Sequence, residues 1–254
     1  ETPALFRFST FDRNSASQHP LEVIIYQSTF RNINFIILVI MSLFEEAAQL
    51  NNRGVVALIE GDDDFAIEAM TKAIKMMKQE LAKPSTELAD LKTSSEEGPE
   101  LRTVEIPDME SSDEHHEIFN QAIHVPCNGD ESDLDIHVYS AAVIFNLALA
   151  HHRKGMQGVE ACREKSIKLY SMVLKVLDDS LITFRTAVTV KLATINNMAQ
   201  IQFAKGDYEE AREGLNHLAG FLRIASGEVL AEPQVQGLLM NVLMFRAPKV
   251  AAAA

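Results

Sequence analysis

Histidine and cysteine are the residues of this chain that could carry catalytic or metal chemistry. His115 and His116 stand among acidic residues, but adjacent side chains on a loop of that composition rarely enclose a metal ion. His151 and His152 fall on a predicted helix, where neighbouring side chains diverge by about 100° and do not readily share one ion. Cys127 lacks a basic neighbour to activate its thiol. The sequence therefore predicts no catalytic residue, no metal and no cofactor.

Asparagine recurs in a more regular pattern. Three times it is followed by a small residue two positions later and by a glycine nine positions later, at the end of an apolar stretch with helical spacing. The small residue indicates close approach of a second helix, and the glycine suits the left-handed position that ends a helix. This predicts three helix–turn–helix hairpins, built on Asn52-x-Gly54 with Gly61, Asn146-x-Ala148 with Gly155, and Asn197-x-Ala199 with Gly206.

Apolar periodicity gives the extent of these hairpins and of one more helix. Asp62 and Asp207 are predicted to cap the second helices of two hairpins. A last helix begins near Pro233 and would cover the final hairpin. The predicted elements are hairpins at 43–82, 137–178 and 181–226 and a capping helix at 233–245.

Residues 83–135 interrupt the first and second hairpins and have the composition of a loop. They contain 15 acidic and 3 basic residues, a net charge of −12, against −13 for the whole chain of 254 residues. Within them, 102–106 and 117–125 have strand-like content and are each followed by proline, which predicts a small β-hairpin. We expect this acidic insertion either to stay solvated or to fold back and compete for a groove between the helices.

Residues 1–40 have no sustained period and are expected to be an extension that is poorly ordered or foreign to the natural protein. The capping-box spacing of Ser42 and Glu45 starts the first helix, so the folded domain is predicted to span 41–254. The apolar run at 33–44 is shorter than the ~20 residues of a membrane span. A membrane anchor is therefore the less favoured interpretation, beside an extra strand or turn packed on the first helix.

The composition narrows the class of protein further. Hydrophobic residues make up 47% and charged residues 23% of the chain, as in a globular domain. The acidic balance argues against nucleic-acid binding, which needs a basic face. Two cysteines cannot form a disulfide framework, so a reducing, cytoplasmic location is expected.

Two segments, "NNRGVVALIEGDDDFAIEAMTKAI" and "NNMAQIQFAKGDYEEAREGLNHL", resemble the tetratricopeptide repeat, with Ala66 and Ala211 at the family's packing alanine. A third, "FNLALAHHRKG", matches in its first helix and then has about six extra residues. The family's tryptophan is absent and its 34-residue period is not kept. The resemblance implies an all-α, right-handed superhelix of about three hairpins with a C-terminal capping helix and the acidic insertion.

In that family the first helices line a concave face, where an asparagine often hydrogen-bonds the backbone of an extended peptide. The resemblance thus implies a peptide-binding or protein-binding surface. The alternative is that each asparagine bonds the backbone of a neighbouring helix and holds the hairpins together. The candidate residues of the concave face are Asn52, Asn146, Asn197, Gln200, His152 and Arg153.

A clamp for a C-terminal carboxylate would need lysine or arginine beside these asparagines. Those positions hold Asn51, Phe145 and Asn196, so that ligand is disfavoured. The favoured function is a non-catalytic scaffold for a peptide or partner protein, with self-association through the last hairpin as a further expectation. The alternatives are an enzyme or transferase with its site in the groove, and an adaptor tethered to a membrane by 33–44.

Overall fold

The computed structural model describes residues 42–81, 101–106, 119–126, 136–178, 185–224 and 232–246. The predictions for 1–40, for His115 and His116, and for Cys127 lie outside these described residues.

Within these ranges the chain forms seven helices and one antiparallel sheet of two strands. The predictions of a mainly helical chain and of a small β-hairpin in the insertion are therefore confirmed. The elements are α1 (42–60), α2 (Asp63–Leu81), β1 (Arg102–Glu105), β2 (Gln121–His124), α3 (Ile136–Met156), α4 (Glu160–Asp178), α5 (Arg185–Lys205), α6 (Tyr208–Ile224) and α7 (Glu232–Arg246).

Tight turns join α1 to α2 and α5 to α6. Gly61 and Gly206 adopt φ angles of 83° and 88°, which glycine reaches without a steric penalty. After the first turn, the Asp62 carboxylate accepts a hydrogen bond from the Phe65 N–H at 3.0 Å. This satisfies an N–H group that the first turn of α2 would otherwise leave unpaired, as an N-cap does.

The turn between α3 and α4 differs from the one predicted. Gly155 was expected in the left-handed conformation, but α3 continues to Met156 and Gly158, with φ 93°, takes that role. The prediction for Gly155 was wrong because the extra residues of this copy extend the first helix and lengthen the turn. Gly155 instead permits close helix approach, since an added Cβ would lie 3.0 Å from the backbone of Arg163.

Small residues bring the helices of the other hairpins together. A Cβ at Gly54 of α1 would lie 2.9 Å from two side-chain atoms of Met70 in α2. In the third hairpin, a Cβ at Gly214 of α6 would contact the Ala199 methyl group of α5 at 3.4 Å. The small positions of the sequence pattern therefore mark the contact between the two helices of a hairpin.

Successive hairpins contact one another through α2 and α3 and through α4 and α5, and the last hairpin contacts α7 through α6. Asn51 of α1 bonds Asn146 of α3, and the Leu58 carbonyl of α1 accepts a bond from Arg153 of α3. Both pairs are 95 residues apart, so α1 and α3 run parallel. Every residue from 141 to 152 of α3 is buried, which makes this helix the centre of the core.

The two strands pair with Val104 opposite Ala122 and Thr103 opposite Ile123. β2 also packs against α3. Ile106, Ala122 and Ile123 are almost fully buried, whereas most of β1 is exposed. The inserted segment is thus attached to the helices mainly through β2 and the residues that flank it.

Candidate functional site

Three asparagines, one from the first helix of each hairpin, each make a pair of hydrogen bonds with the backbone of the inserted segment. Asn51 of α1 adds a single bond, since its Nδ2 donates to the Ile123 carbonyl at 3.1 Å. Asn52 of α1 bonds Val125, with the Val125 N–H donating to Oδ1 at 2.9 Å and Nδ2 donating to the Val125 carbonyl at 2.7 Å. Asn146 of α3 makes the same two bonds with Ile123, at 2.8 and 2.7 Å. Asn197 of α5 bonds Phe119 in the same way, at 2.8 and 3.0 Å. We call Asn52, Asn146 and Asn197 the asparagine ladder, and residues 119–125 the bound segment.

The asparagine side chain suits this role because its amide carries a donor and an acceptor with the spacing of a peptide group. In a strand, alternate residues direct their N–H and C=O groups to the same edge. Phe119, Ile123 and Val125 share that parity, so one edge of the bound segment faces the ladder. The ladder acts toward this edge as a neighbouring strand would.

β1 occupies the opposite edge of the bound segment. The Ile106 N–H donates to the Asn120 carbonyl at 3.2 Å, and Nδ2 of Asn120 donates to the Ile106 carbonyl at 3.0 Å. By antiparallel alternation, Val104 and Ala122 form the next hydrogen-bonded pair. The bound segment therefore lies between a row of side-chain amides and a real strand.

The ladder residues are themselves held in place by further hydrogen bonds. Asn146 Nδ2 also donates to Asn51 Oδ1 at 2.9 Å, so both of its amide hydrogens are used. Asn197 Nδ2 also donates to the Tyr170 hydroxyl oxygen at 3.1 Å. Asn51 and Asn196, which precede two of the ladder positions, donate to the Oδ1 atoms of Asn52 and Asn197 at 3.2 Å. These bonds fix which way each amide points.

Apolar contacts complete the attachment of the bound segment. Phe119, Ala122, Ile123 and Val125 are at most 8% exposed. The Phe119 ring meets the edge of Phe145 in α3 at a centroid distance of 6.2 Å, a favourable aromatic geometry. Asn120, Gln121 and His124 are only partly covered, so the segment contains both anchored and outward positions.

Of the other predicted concave-face residues, His152 lies beside the ladder. Its Nδ1 is 3.4 Å from the Tyr170 hydroxyl, and the two rings meet edge to face at 6.0 Å. Burial, with a smaller effect of Arg163, lowers the pKa of His152 to about 3. Burial also raises the pKa of Tyr170 well above its usual value. Both groups are therefore neutral near pH 7 and connect to Asn197 through the Tyr170 hydroxyl.

Arg153 serves a different contact. Its guanidinium donates to the Leu58 carbonyl at 2.6 Å and lies 3.5 Å from Asp63, joining α3 to the turn between α1 and α2. Burial raises the pKa of Asp63, an effect that the positive charge of Arg153 opposes. Gln200, one turn beyond Asn197, is 6% exposed, and its Nε2 has no hydrogen-bond partner among the described residues.

His151 offers no catalytic pairing within the part of the chain that the structure describes. Neither ring nitrogen has a hydrogen-bond partner there, and the side chain is 4% exposed. Burial, with smaller effects of Lys165 and Lys154, lowers its pKa to about 4. No group of three metal-ligating side chains occurs among the described residues either.

Sequence reasoning missed three asparagines that support the ladder. Asn51, Asn196 and Asn241 are fully buried, and Asn241 of α7 donates to Asn196 Oδ1 at 2.8 Å. This repeats the bond from Asn146 to Asn51, so an asparagine of α7 bonds α5 in the same way as an asparagine of α3 bonds α1. The doubled asparagines at 51–52 and 196–197 were the available signal. Asn241 lacked one, because no glycine follows it nine positions later.

The carboxylate-clamp positions can now be assigned. Asn51 and Asn196 orient ladder amides, Asn51 also donates to the Ile123 carbonyl of the bound segment, and Phe145 packs on Phe119. The backbone that the ladder binds belongs to the chain's own insertion and not to a neighbouring helix. Binding of a separate peptide stays a prediction.

In the described part of the chain, no helix combines the length and the apolar character that crossing a membrane requires. Comparison of the chain with protein-family models, with curated proteins and with solved structures finds no match.

Proposed function

We propose that this chain is a non-catalytic interaction scaffold that binds extended peptides, or extended segments of partner proteins, along α1, α3 and α5. In this proposal the hairpins form a right-handed superhelix of the tetratricopeptide type, and the ladder lies on its concave face. The protein would act in the cytoplasm, in keeping with its two isolated cysteines.

The observation that carries the proposal is the paired hydrogen bonding of three successive first helices to one extended backbone. Each pair of bonds engages one backbone N–H and one backbone C=O group, and every residue except proline carries both. Recognition of this kind is the main-chain part of strand addition, where hydrogen bonds give affinity and side-chain contacts give specificity. Because the ladder carries no charge, we expect binding to depend little on ionic strength.

The experiment is selection of peptides from a displayed library against the full chain carrying Phe119→Ala and Ile123→Ala. These changes weaken the chain's own bound segment and leave all three ladder asparagines in place. We expect selected peptides to bind at least tenfold more weakly when Asn146→Ala and Asn197→Ala are added. The matched control is Asn216→Ala, which removes an exposed asparagine of α6 and should leave binding unchanged.

Circular dichroism establishes that each variant remains helical. If the double asparagine variant unfolds, Asn52→Ala provides the comparison, because Asn52 is only half-buried. Peptides that bind equally with and without the ladder, or a selection that enriches no peptide, would contradict the proposal.

A further inference from the structure

The bound segment occupies the very surface that the proposed function requires. Its amides at Phe119, Ile123 and Val125 are taken by the ladder, so a second extended chain cannot make those bonds at the same time. The segment comes from the insertion between α2 and α3 and is not part of any helical hairpin. It is bound to the helices in the manner of a ligand.

The bonds to the ladder do not depend on which side chains the segment carries. All six are made with N–H and C=O groups of the segment, as is the further bond that Asn51 donates to the Ile123 carbonyl. Another chain with backbone groups at the same spacing could therefore replace it. Proline is excluded at the three ladder-bonded positions, because it has no N–H to donate.

The side chains that are buried define which sequences fit. Counting Phe119 as position one, apolar groups fill positions one, five and seven. Position four is Ala122, which is fully buried and, as expected for a strand, points to the opposite face; its close surroundings favour a small side chain. Positions two, three and six are only partly covered and tolerate polar residues.

From these contacts we infer that residues 119–125 are an internal competitor, and that the ligand of this site is an extended heptapeptide segment of the same pattern. That pattern is apolar at positions one, five and seven, small at position four and free of proline at the bonded positions. This inference rests on the proposed function and adds the ligand's chemistry and its control. An incoming segment would lie between the ladder and β1.

A competitor that belongs to the same chain acts at a high effective concentration, on the order of millimolar where the linker is short. The apparent affinity for an added peptide equals the intrinsic affinity multiplied by the fraction of molecules whose site is empty. The unmodified chain should therefore bind a peptide ligand at least tenfold more weakly than a chain whose own segment has been weakened.

The experiment uses a fluorescent peptide with the sequence of residues 117–126 and the full chain. Binding is measured by anisotropy to the unmodified protein and to an Ile123→Pro variant, which lacks the N–H that donates to Asn146. We expect at least tenfold tighter binding to the variant. Methylation of the peptide nitrogen at Ile123 should abolish binding to the ladder, whereas methylation at Ala122 removes a group that faces β1 and should weaken binding less.

If Ile123→Pro does not fold, the Phe119→Ala and Ile123→Ala double variant replaces it. A second measurement needs no variant: an excess of unlabelled peptide should accelerate hydrogen exchange of the protein's own Ile123 amide. Equal affinity of the unmodified and weakened chains would overturn the inference and leave the proposed function standing. Absence of binding to every variant would overturn both, provided that circular dichroism shows them folded.

Discussion

At the scale of single residues, the central feature is an asparagine whose amide is used completely. Asn146 accepts from the Ile123 N–H and donates to both Ile123 and Asn51, all with no exposure to water. Removing such a group costs more than a hydrogen bond normally contributes to stability, because buried partners lose their bonds. The Ile123 N–H would lose its acceptor, whereas the Ile123 carbonyl would keep the bond from Asn51.

We therefore expect Asn146→Ala to lower the free energy of unfolding by about 2–4 kcal/mol, and Asn52→Ala by about 1 kcal/mol. Asn52 is half-buried, so water can replace part of what it supplies to Val125. Alanine favours the helix more than asparagine does, but this gain is the same for both variants and cancels when their stabilities are compared. Urea unfolding of the two variants measures the difference; equal losses would contradict the distinction between them.

The two buried histidines make stability depend on pH. Their pKa values in the folded chain, about 4 for His151 and about 3 for His152, lie below the usual value of 6.5. The unfolded chain therefore binds more protons as the pH falls below 6.5. The loss of stability begins there and levels off near the folded pKa values.

Between pH 7 and pH 5 we expect each imidazole to remove about 2 kcal/mol of stability. A His151→Gln, His152→Phe variant should lose much less over the same interval. These replacements are the residues that α5 carries at the corresponding positions, Gln202 and Phe203. Urea unfolding at the two pH values tests this, and an unchanged pH dependence in the variant would show that other groups cause it.

At the scale of the elements, the sequence pattern predicted the helical hairpins because small residues and turn glycines have local causes. Gly61 and Gly206 end helices as expected. Gly155 does not, because the turn that follows α3 is longer than in the other copies. The strand-like stretches of the insertion were also visible, as short runs that end before proline.

Two helical glycines provide a matched test of the hairpin contact. In α1, Gly54→Ala would place a methyl group 2.9 Å from the fully buried Met70 and should destabilise by about 1–3 kcal/mol. In α6, a Cβ at Gly220 meets nothing within 4 Å, so Gly220→Ala should stabilise by about 0.5–1 kcal/mol. Thermal or urea unfolding of the two variants measures the sign of each change in stability. Stabilisation by Gly54→Ala would mean that α1 and α2 are farther apart than described.

What the sequence could not supply is the partner of the asparagines. Their regular spacing indicated one shared role, but both peptide binding and bonding between helices would require a side-chain amide at these positions. The segment that they bind lies 73 residues from Asn52 and 78 from Asn197, and nothing local in its sequence specifies those contacts. The role of Asn241 could not be predicted for the same reason, because it depends on a hydrogen bond to Asn196 in another helix.

At the scale of the molecule, the bound segment ties the three hairpins together. Contacts between hairpins are otherwise made mainly by neighbouring helices. A protein whose repeats contact only their neighbours can unfold one repeat at a time. The segment instead bonds α1, α3 and α5 at once. We therefore expect the acidic insertion to contribute to the cooperativity of unfolding of a fold that it interrupts in sequence.

We expect Ile123→Pro to reduce that cooperativity. Amides of α1 and α2 should then lose their native signals at a different urea concentration from those of α5 and α6, whereas in the unmodified chain the transitions coincide. Nuclear magnetic resonance of the labelled protein during urea titration resolves the two groups. Coincident transitions in the variant would show that the contacts between hairpins are sufficient to make them unfold together.

Hydrogen exchange of the bound segment tests the central claim most directly, because each ladder asparagine should protect its own amide. Asn197→Ala should accelerate exchange of the Phe119 amide by about fivefold or more and leave Val125 nearly unchanged, and Asn52→Ala should do the reverse. If the amides of Phe119, Ile123 and Val125 exchange in the unmodified protein as fast as those of an unfolded chain, the ladder does not hold the segment and the account is contradicted.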